Sequence, residues 1–237
     1  MLNDYSRDID TIYKQQLSYL ENGAVAKVNE LTKNIAKLNQ QIKESNISGN
    51  PALELNDERN MFIDELSNYI DIEVDVIPLD IGGGKTVDEL IIRLGDTGFD
   101  LVDRNTFKEI GVEKSTDIIE IKEVTGKNSD GTMVYGTNIT NSIKGGQIDG
   151  YLKFLNGKGE FATAVDEAGY DKASSVKGLL YYKNMLDTLA SKFAAVMNDH
   201  NMTPETYDPD TGIANVRSDK ALFEPRGDDK TVQITAG

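Results

Sequence analysis

An uninterrupted helical pattern near the start of the chain limits what this sequence can fold into. Apolar residues recur from Ile9 to Ile42 at steps of three or four, which places them on one face of an α-helix. The pattern predicts a single helix from about Asp4 to Glu44, roughly 60 Å long at 1.5 Å per residue. Gly23 interrupts this helix at a cost of about 1 kcal/mol relative to alanine. Because a long helix with one narrow apolar face is not stable alone, it requires partner helices.

Two further helices supply the predicted partners. Residues Ser48 to Pro51 form a stop, after which a second helix begins and completes a helical hairpin. A third long helix is predicted from about Ala173 to Asp199. The apolar residues predicted to pack the three helices together are Val28, Leu31, Ile35, Leu38, Ile42, Phe62, Leu66, Leu186, Leu189, Phe193 and Val196.

The segment between the second and third long helices has the alternating pattern of β-strands. Strands are predicted at Ile72 to Leu79, Leu90 to Leu94, Phe99 to Val102, Ile118 to Ile121 and Thr132 to Tyr135. The fold class is therefore predicted to be α+β: an elongated helical bundle with coiled-coil-like long helices and an inserted small antiparallel β domain.

Domain boundaries follow from these changes of pattern. Residues 1–71 and 146–200 are predicted to form one discontinuous helical domain, and residues 72–145 the inserted β domain. A short helix is predicted from Ile148 to Leu155. Residues 201–237 carry three of the five prolines and read as a loop that leads into a further, incomplete segment.

Charge and composition exclude several classes of protein. The 40 acidic residues outnumber the 25 basic ones, so a nucleic-acid backbone would be repelled. No apolar run is long enough to span a membrane, and no signal peptide is recognisable. The absence of cysteine excludes disulfides and thiolate sites, and a single histidine excludes a histidine-rich metal site. We therefore expect no partner that is a nucleic acid or a membrane.

Two loops resemble ligand-binding motifs but lack essential residues. Gly82 to Thr86 has the end of a phosphate-binding loop, yet Leu79 stands where that motif requires its first glycine. Asp208 to Gly212 begins like a calcium loop without supplying the later acid, glycine and glutamate. We interpret the first as a flexible turn and the second as an acidic surface turn.

Candidate catalytic residues are equally weak. His200 follows the last predicted turn of a helix, where a cation interacts well with the helix dipole, so we interpret it as a capping or packing residue. Asp57, Glu58, Asp64 and Glu65 could pair as catalytic acids, but on a helix that needs a soluble face they are typical of a solvated surface. The sequence predicts no catalytic, cofactor-binding or metal-binding residue, and no enzyme.

Four motifs, in order and spacing, resemble the flagellar hook-associated protein 1 family. Residues 28–42 read VNELTKNIAKLNQQI and are similar to the family stretch "vNeLakqIAkLNqqI". Residues 55–67 contain LNDER and DELS, similar to "LLDqRD…deLs", with Asn60 where the family commonly has aspartate. Residues 145–152 read GGQIDGYL, similar to "GGeLgaLl", and residues 186–201 are similar to "LDaLAaalaeavN..Hn". The stretch after His200 departs from the family pattern.

This resemblance implies a structural role as an adaptor at the junction of hook and filament, with no cofactor. It implies a location outside the cell, on the flagellum, reached through the flagellar type III export channel. The implied partners of the full-length protein are the hook protein, hook-associated protein 3 and neighbouring copies, with an export chaperone on the missing C-terminal part. The chain is expected to be a central fragment without the terminal helices, and this fragment is expected to be a monomer.

Two other functions remain open from the sequence. The inserted β domain could act as a surface adhesin or ligand-binding module, although 7% aromatic residues and no tryptophan disfavour an aromatic carbohydrate groove. An enzyme embedded in a flagellar protein would need a catalytic cluster, and residues 72–145 contain neither histidine nor cysteine. Ligand binding by the β domain would distinguish the adhesin from the structural adaptor.

Overall fold

A computed structural model describes the residues that form the helices and strands. They are residues 2–82, 85–95, 97–114 and 117–202, with 207–208, 213–214 and 223. The helices are α1 (Leu2–Tyr19), α2 (Ala26–Ile47), α3 (Leu53–Tyr69), α4 (Gly146–Asn156), α5 (Ala164–Gly169) and α6 (Leu179–Met202). The strands are β1 (Ile72–Gly82), β2 (Lys85–Leu94), β3 (Asp100–Asp103), β4 (Thr106–Phe107), β5 (Glu109–Lys114), β6 (Ile119–Lys127), β7 (Met133–Asn138), β8 (Tyr207–Asp208) and β9 (Ile213–Ala214). This combination confirms the predicted α+β class.

The long first helix is continuous but contains a π-helical turn. Helices α1 and α2 are joined through Leu20–Val25, which is π-helical and includes Gly23. A π-helical turn adds a residue to the helical repeat and shifts the apolar face around the axis. Leu20, Ala24 and Val25 are buried in this turn, so the inserted residue keeps the apolar face directed at the core on both sides of it.

Helices α2 and α3 form the predicted hairpin. The chain reverses at Gly49, whose positive φ of 81° suits a glycine. On α2 the residues Val28, Leu31, Ile35, Leu38 and Ile42 are all buried. On α3, Leu66 is fully buried and Phe62 is half-buried against the same core.

The strands form antiparallel sheets. Strands β1 to β4 follow one another in a four-stranded sheet, β5 to β7 form a three-stranded sheet, and β8 pairs with β9. In the first sheet Val74 lies opposite Ile92, and in the second Val112 lies opposite Ile121. Helix α2 crosses β2, β3 and β4, which buries one face of the first sheet.

One buried apolar cluster joins the helices to both sheets. It includes Leu31 and Ile35 of α2, Ile92 of β2, Ile121 of β6 and Leu152 of α4, all with no exposed surface. Because helices and strands share this cluster, the division into a helical domain and a separate inserted β domain remains a prediction.

Along its outer half, the apolar face predicted for the third long helix is exposed. The side chains of Leu189, Phe193 and Val196 are 55%, 47% and 68% exposed, and Leu186 is only half-buried. Asp10 of α1 pairs with Lys183 of α6 at 2.9 Å. The two helices are antiparallel, since later residues of α1 lie beside earlier residues of α6. Helix α1 begins at Leu2, eight residues before Asp10, so at 1.5 Å per residue it extends to about residue 191 of α6. The described helices that make the main contacts with α6 are α1 and α4.

Several boundaries differ from the sequence prediction. Strands β4 and β5 and helix α5 were not predicted, and α6 begins at Leu179 rather than Ala173. The predicted Gly82–Thr86 turn includes two glycines outside the described residues. Most of the Asp208–Gly212 turn and most of the 201–237 segment also lie outside them.

Candidate functional site

The candidate catalytic and metal-binding residues are not gathered into a site. Asp57, Glu58 and Asp64 are exposed on α3, and Glu65 forms an ion pair with Lys27 at 3.3 Å. In the part of the chain that the structure describes, no three histidine, cysteine or acidic side chains are placed to hold a metal ion. His200 is exposed in the last turn of α6. The polar side chains that do converge lie where helices contact strands.

Asparagine side chains join the helices to the sheets. Asn29 of α2 binds the main chain of Ile110: its amide donates to the carbonyl at 2.8 Å, and its oxygen accepts from the N–H at 2.9 Å. Ile110 lies on β5, the edge of the three-stranded sheet, and is buried there. A buried strand edge leaves main-chain groups that need partners, and the asparagine supplies both.

A second asparagine binds strand β6 where β7 does not pair with it. Strand β7 pairs with β6 only from Lys122 onward, so Ile119 has no β7 partner. Asn156, at the end of α4, accepts from the Ile119 N–H and donates to its carbonyl, both at 2.8 Å. Thr140 accepts from the Ile121 N–H at 2.9 Å. Asn156 and Thr140 have no exposed surface, so these bonds replace a missing strand within the core.

Asn39 makes the third connection. Its amide donates to the carbonyl of Arg104 at 2.6 Å, and its oxygen accepts from Nη1 of Arg59 at 3.1 Å. Arg104 lies in the turn between β3 and β4 with a positive φ of 58°. We call Asn29, Asn39 and Asn156, with their main-chain partners Ile110, Arg104 and Ile119, the helix–sheet joint.

An ion-pair cluster lies beside Asn39. The buried carboxylate of Glu89 on β2 accepts from Nζ of Lys43 and from Nε of Arg104, both at 2.6 Å. The hydrogen bond from Lys43, reinforced by Arg104, lowers the pKa of Glu89 although burial opposes this. The cluster ties α2 to β2 and to the β3–β4 turn.

A second set of ion pairs holds the chain between α4 and α6. Lys158 and Asp166 are both buried and pair at 2.7 Å, and Asp166 also closes a capping box with Thr163 at the start of α5. Asp149 accepts from Lys153 and Lys172. Burial raises the pKa of Asp149, but the two lysines outweigh it and the net shift is downward. Each buried carboxylate therefore has a cationic partner, as burial demands.

Two glycines allow the third motif to pack against α3. Gly146 has a positive φ of 71°, and a Cβ at this position would lie 2.5 Å from the main chain of Tyr69. Only glycine fits this approach without moving the backbone. The pair Gly145 and Gly146 thus sets the start of α4 against the end of α3.

The outer half of α6 presents a different kind of surface. The amide of Asn198 donates to the carbonyl of Phe223 at 2.7 Å, and its oxygen accepts from the Phe223 N–H at 2.9 Å. The rings of Phe193 and Phe223 lie 5.9 Å apart. Exposed apolar side chains follow along the same helix, namely Tyr182, Met185, Leu189, Phe193, Val196 and Met197.

Comparison with known proteins assigns these features to a family. A family model described as the flagellar hook-associated protein FlgK helical domain matches residues 1–214. The chain belongs to this family. The family resemblance inferred from the four motifs is thereby confirmed.

Among solved structures, the chain is similar to the flagellar hook junction protein FlgK from Burkholderia pseudomallei. The TM-score is 0.58 and the identity 22%, over 85% of this chain and 31% of that chain. At this identity the likeness shows the fold alone, and the present chain spans about a third of the length of that FlgK chain. Comparison with curated proteins gives no match.

The FlgK motifs coincide with the polar connections just described. Asn29 and Asn39 belong to the first motif, Arg59 to the second, Gly146 to the third and Asn198 to the fourth. The motifs therefore carry several of the residues that fix one element to another. Asn156 lies outside all four, and only its place at a helix end before Gly157 distinguishes it in the sequence.

No described helix of the chain is both long and apolar enough to cross a membrane.

Proposed function

We propose that the protein containing this chain is a structural component of the bacterial flagellum that acts as an adaptor between hook and filament. The observation that carries this proposal is the match to the FlgK helical domain over residues 1–214. The proposed work of the chain is mechanical. It holds helices and sheets in a fixed relation, and no reaction is part of the proposal.

Two structural features support a mechanical role. The helix–sheet joint binds main-chain atoms at several points, which resists sliding of the strands along α2 and α4. The exposed apolar residues of α6 support a role in assembly, because contiguous apolar surface of this kind is typical of interaction sites. We propose that the full-length protein contacts hook and filament components.

The finer partners are also part of the proposal. We infer contacts with the hook protein, with hook-associated protein 3 and with neighbouring copies, and an export chaperone that binds outside this chain. The proposed location is extracellular, on the flagellum, after export through the flagellar type III channel. The proposed partition of the chain is a helical domain, residues 1–71 and 146–200, carrying an inserted β domain, residues 72–145.

The experiment uses the absence of cysteine from the chain. Ser129 is exposed in the turn between β6 and β7, so Ser129→Cys in the full-length gene provides one accessible thiol. Living cells are stained with a membrane-impermeant maleimide dye, and cells with the unaltered gene are the control. We expect one spot at the base of each filament.

Other staining patterns would contradict the proposal. Label along whole filaments would indicate a filament protein, and label over the cell body would indicate an adhesin. In the second case the isolated chain would be tested for binding to immobilised glycans. The neighbouring Asp130 is less suitable for substitution, because its carboxylate accepts two hydrogen bonds from Thr132.

A further inference from the structure

A cleft separates the α2–α3 hairpin from the first sheet. Its volume is about 550 Å³, and it is open to solvent. Ile42, Val76 and Leu90 supply apolar walls, while Asn56 and Arg59 of α3 line the opposite side. Val76 is 56% exposed although it faces Leu90 across the β1–β2 pairing. Of these apolar side chains only Val76 is exposed, because Ile42 and Leu90 keep 3% and 4% of their surface, so the cleft places an exposed valine near a cationic side chain.

Arg59 has an unusual environment for an arginine in an acidic chain. Each of the other arginines whose side chains the structure describes forms an ion pair with a carboxylate, whereas Arg59 forms none. Its terminal nitrogens donate to the neutral amide oxygens of Asn39 and Asn56, at 3.1 and 3.0 Å. Its Nε is inaccessible and has no hydrogen-bond partner.

Burial makes this arrangement costly for the guanidinium. Loss of solvent lowers the pKa of Arg59, and the charge of Asp88 only partly opposes the shift. A guanidinium carries five N–H donors, of which two are used by the asparagine oxygens. Because Nε is inaccessible, a carboxylate in the cleft would form charge-assisted hydrogen bonds with the two remaining N–H groups of the terminal nitrogens.

We propose that this cleft binds an acidic side chain carried on an extended segment of another polypeptide. The carboxylate bonds to Arg59, and an apolar neighbour in the same segment contacts the exposed side chain of Val76. Charge complementarity with Arg59 selects a carboxylate, and the exposed Val76 favours a polypeptide over a free anion. This inference stands independently of the proposed flagellar function.

The test is an NMR titration of the complete chain, labelled with ¹⁵N, with the blocked tripeptide Ac-Val-Glu-Val-NH₂. The matched control ligand is Ac-Val-Gln-Val-NH₂, which has the same shape without the charge. We expect the glutamate peptide alone to shift the amide resonances of Asn56, Arg59, Val76 and Leu90. Equal shifts with both peptides, or no shifts, would overturn the proposal.

Variants locate the charge that is recognised. Arg59→Gln is expected to weaken binding at least about tenfold, the effect of losing a hydrogen-bonded charge. Arg59→Gln also removes hydrogen bonds to two asparagines and could disturb the fold, so a second variant leaves Arg59 in place. Asp88→Asn removes an exposed negative charge from the cleft and should tighten binding about threefold. Arg7→Gln, at an exposed arginine on α1, is the control and should leave binding unchanged.

Inorganic phosphate distinguishes a polypeptide ligand from a free anion. Phosphate lacks apolar contacts, so we expect it to bind more weakly than the glutamate peptide. Phosphate binding as tight as that of the peptide would overturn the assignment of a polypeptide ligand. Unchanged or weaker peptide binding by Asp88→Asn would contradict recognition of negative charge in this cleft.

Discussion

Helix α2 and the outer half of α6 have the same kind of apolar pattern but opposite surroundings. On α2 the periodic residues Leu31 and Ile35 have no exposed surface. On α6, Leu189 and Phe193 are about half exposed, and the buried positions are the small residues Ala190 and Ala194. Periodicity therefore predicts which residues share a face, whereas burial depends on whether another element covers that face.

The largest expected difference comes from placing a charge on each helix. Leu31→Asp puts an unpaired carboxylate in the core and is expected to lower the free energy of unfolding by about 4 kcal/mol or more. The matched variant Leu189→Asp is expected to change it by less than about 1 kcal/mol, since solvent reaches that side chain. Urea denaturation followed by circular dichroism measures both. Equal losses would show that α6 is covered in solution.

Asn156 and Asn198 provide a second, smaller contrast, because each binds the N–H and the C=O of one residue. Asn156→Ala leaves the buried main-chain groups of Ile119 without partners, and we expect a loss of about 3 kcal/mol. Asn198→Ala removes the same pair of bonds to Phe223 from a half-exposed side chain, so a loss of about 1 kcal/mol or less is expected. Urea midpoints compare the two, and a larger effect at Asn198 would contradict the contrast.

Protonation of Glu89, which lies beside the helix–sheet joint, should destabilise the folded chain in acid. Its folded pKa lies below the ordinary value of 4.5, so the unfolded chain takes up the proton first as pH falls. The stabilisation is complete above the ordinary value and is lost as pH falls through the lowered pKa. Glu89→Gln should therefore flatten the dependence of unfolding free energy on pH below about 5. Glu58→Gln, at an exposed position of α3, is the control and should keep the parental slope.

The smallest expected effect concerns the π-helical turn. No atom lies within 4 Å of a Cβ built on Gly23, and its φ is not positive. Gly23→Ala should therefore raise the thermal midpoint, with a gain of up to about 1 kcal/mol from the better helix former. A lower midpoint would show that the turn requires glycine for its shape. Calorimetry of the two proteins decides between these outcomes.

Long elements were predictable because many residues repeat the same signal. The first helix, α3, α4 and most strands of the sheets agree with the sequence pattern. Short elements gave too few residues for a period: β4 has two residues, and β5 has only two apolar residues, Ile110 and Val112, on either side of Gly111. The close approach of Val124, whose Cγ2 lies 2.8 Å from a Cβ built at Gly111, explains that glycine and depends on tertiary structure.

The helix–sheet joint could not be read from the sequence alone. An asparagine on a helix has the same appearance whether it faces solvent or a strand edge, because its partner is a main-chain group distant in the chain. Asn29 and Ile110 are 81 residues apart. The FlgK motifs marked several of these residues without indicating what each one binds.

The joint also has a consequence for how such chains change over evolutionary time. Asn29 and Asn156 each bind the N–H and the C=O of one strand residue, a pair that every residue except proline possesses, and Asn39 binds the carbonyl of Arg104 in the β3–β4 turn. Substitutions at Ile110 or Ile119 that keep the strand buried therefore leave these bonds intact, whereas replacing the asparagines removes them. Strand sequences can drift, or be exchanged by recombination, while the helices retain the means of attaching them.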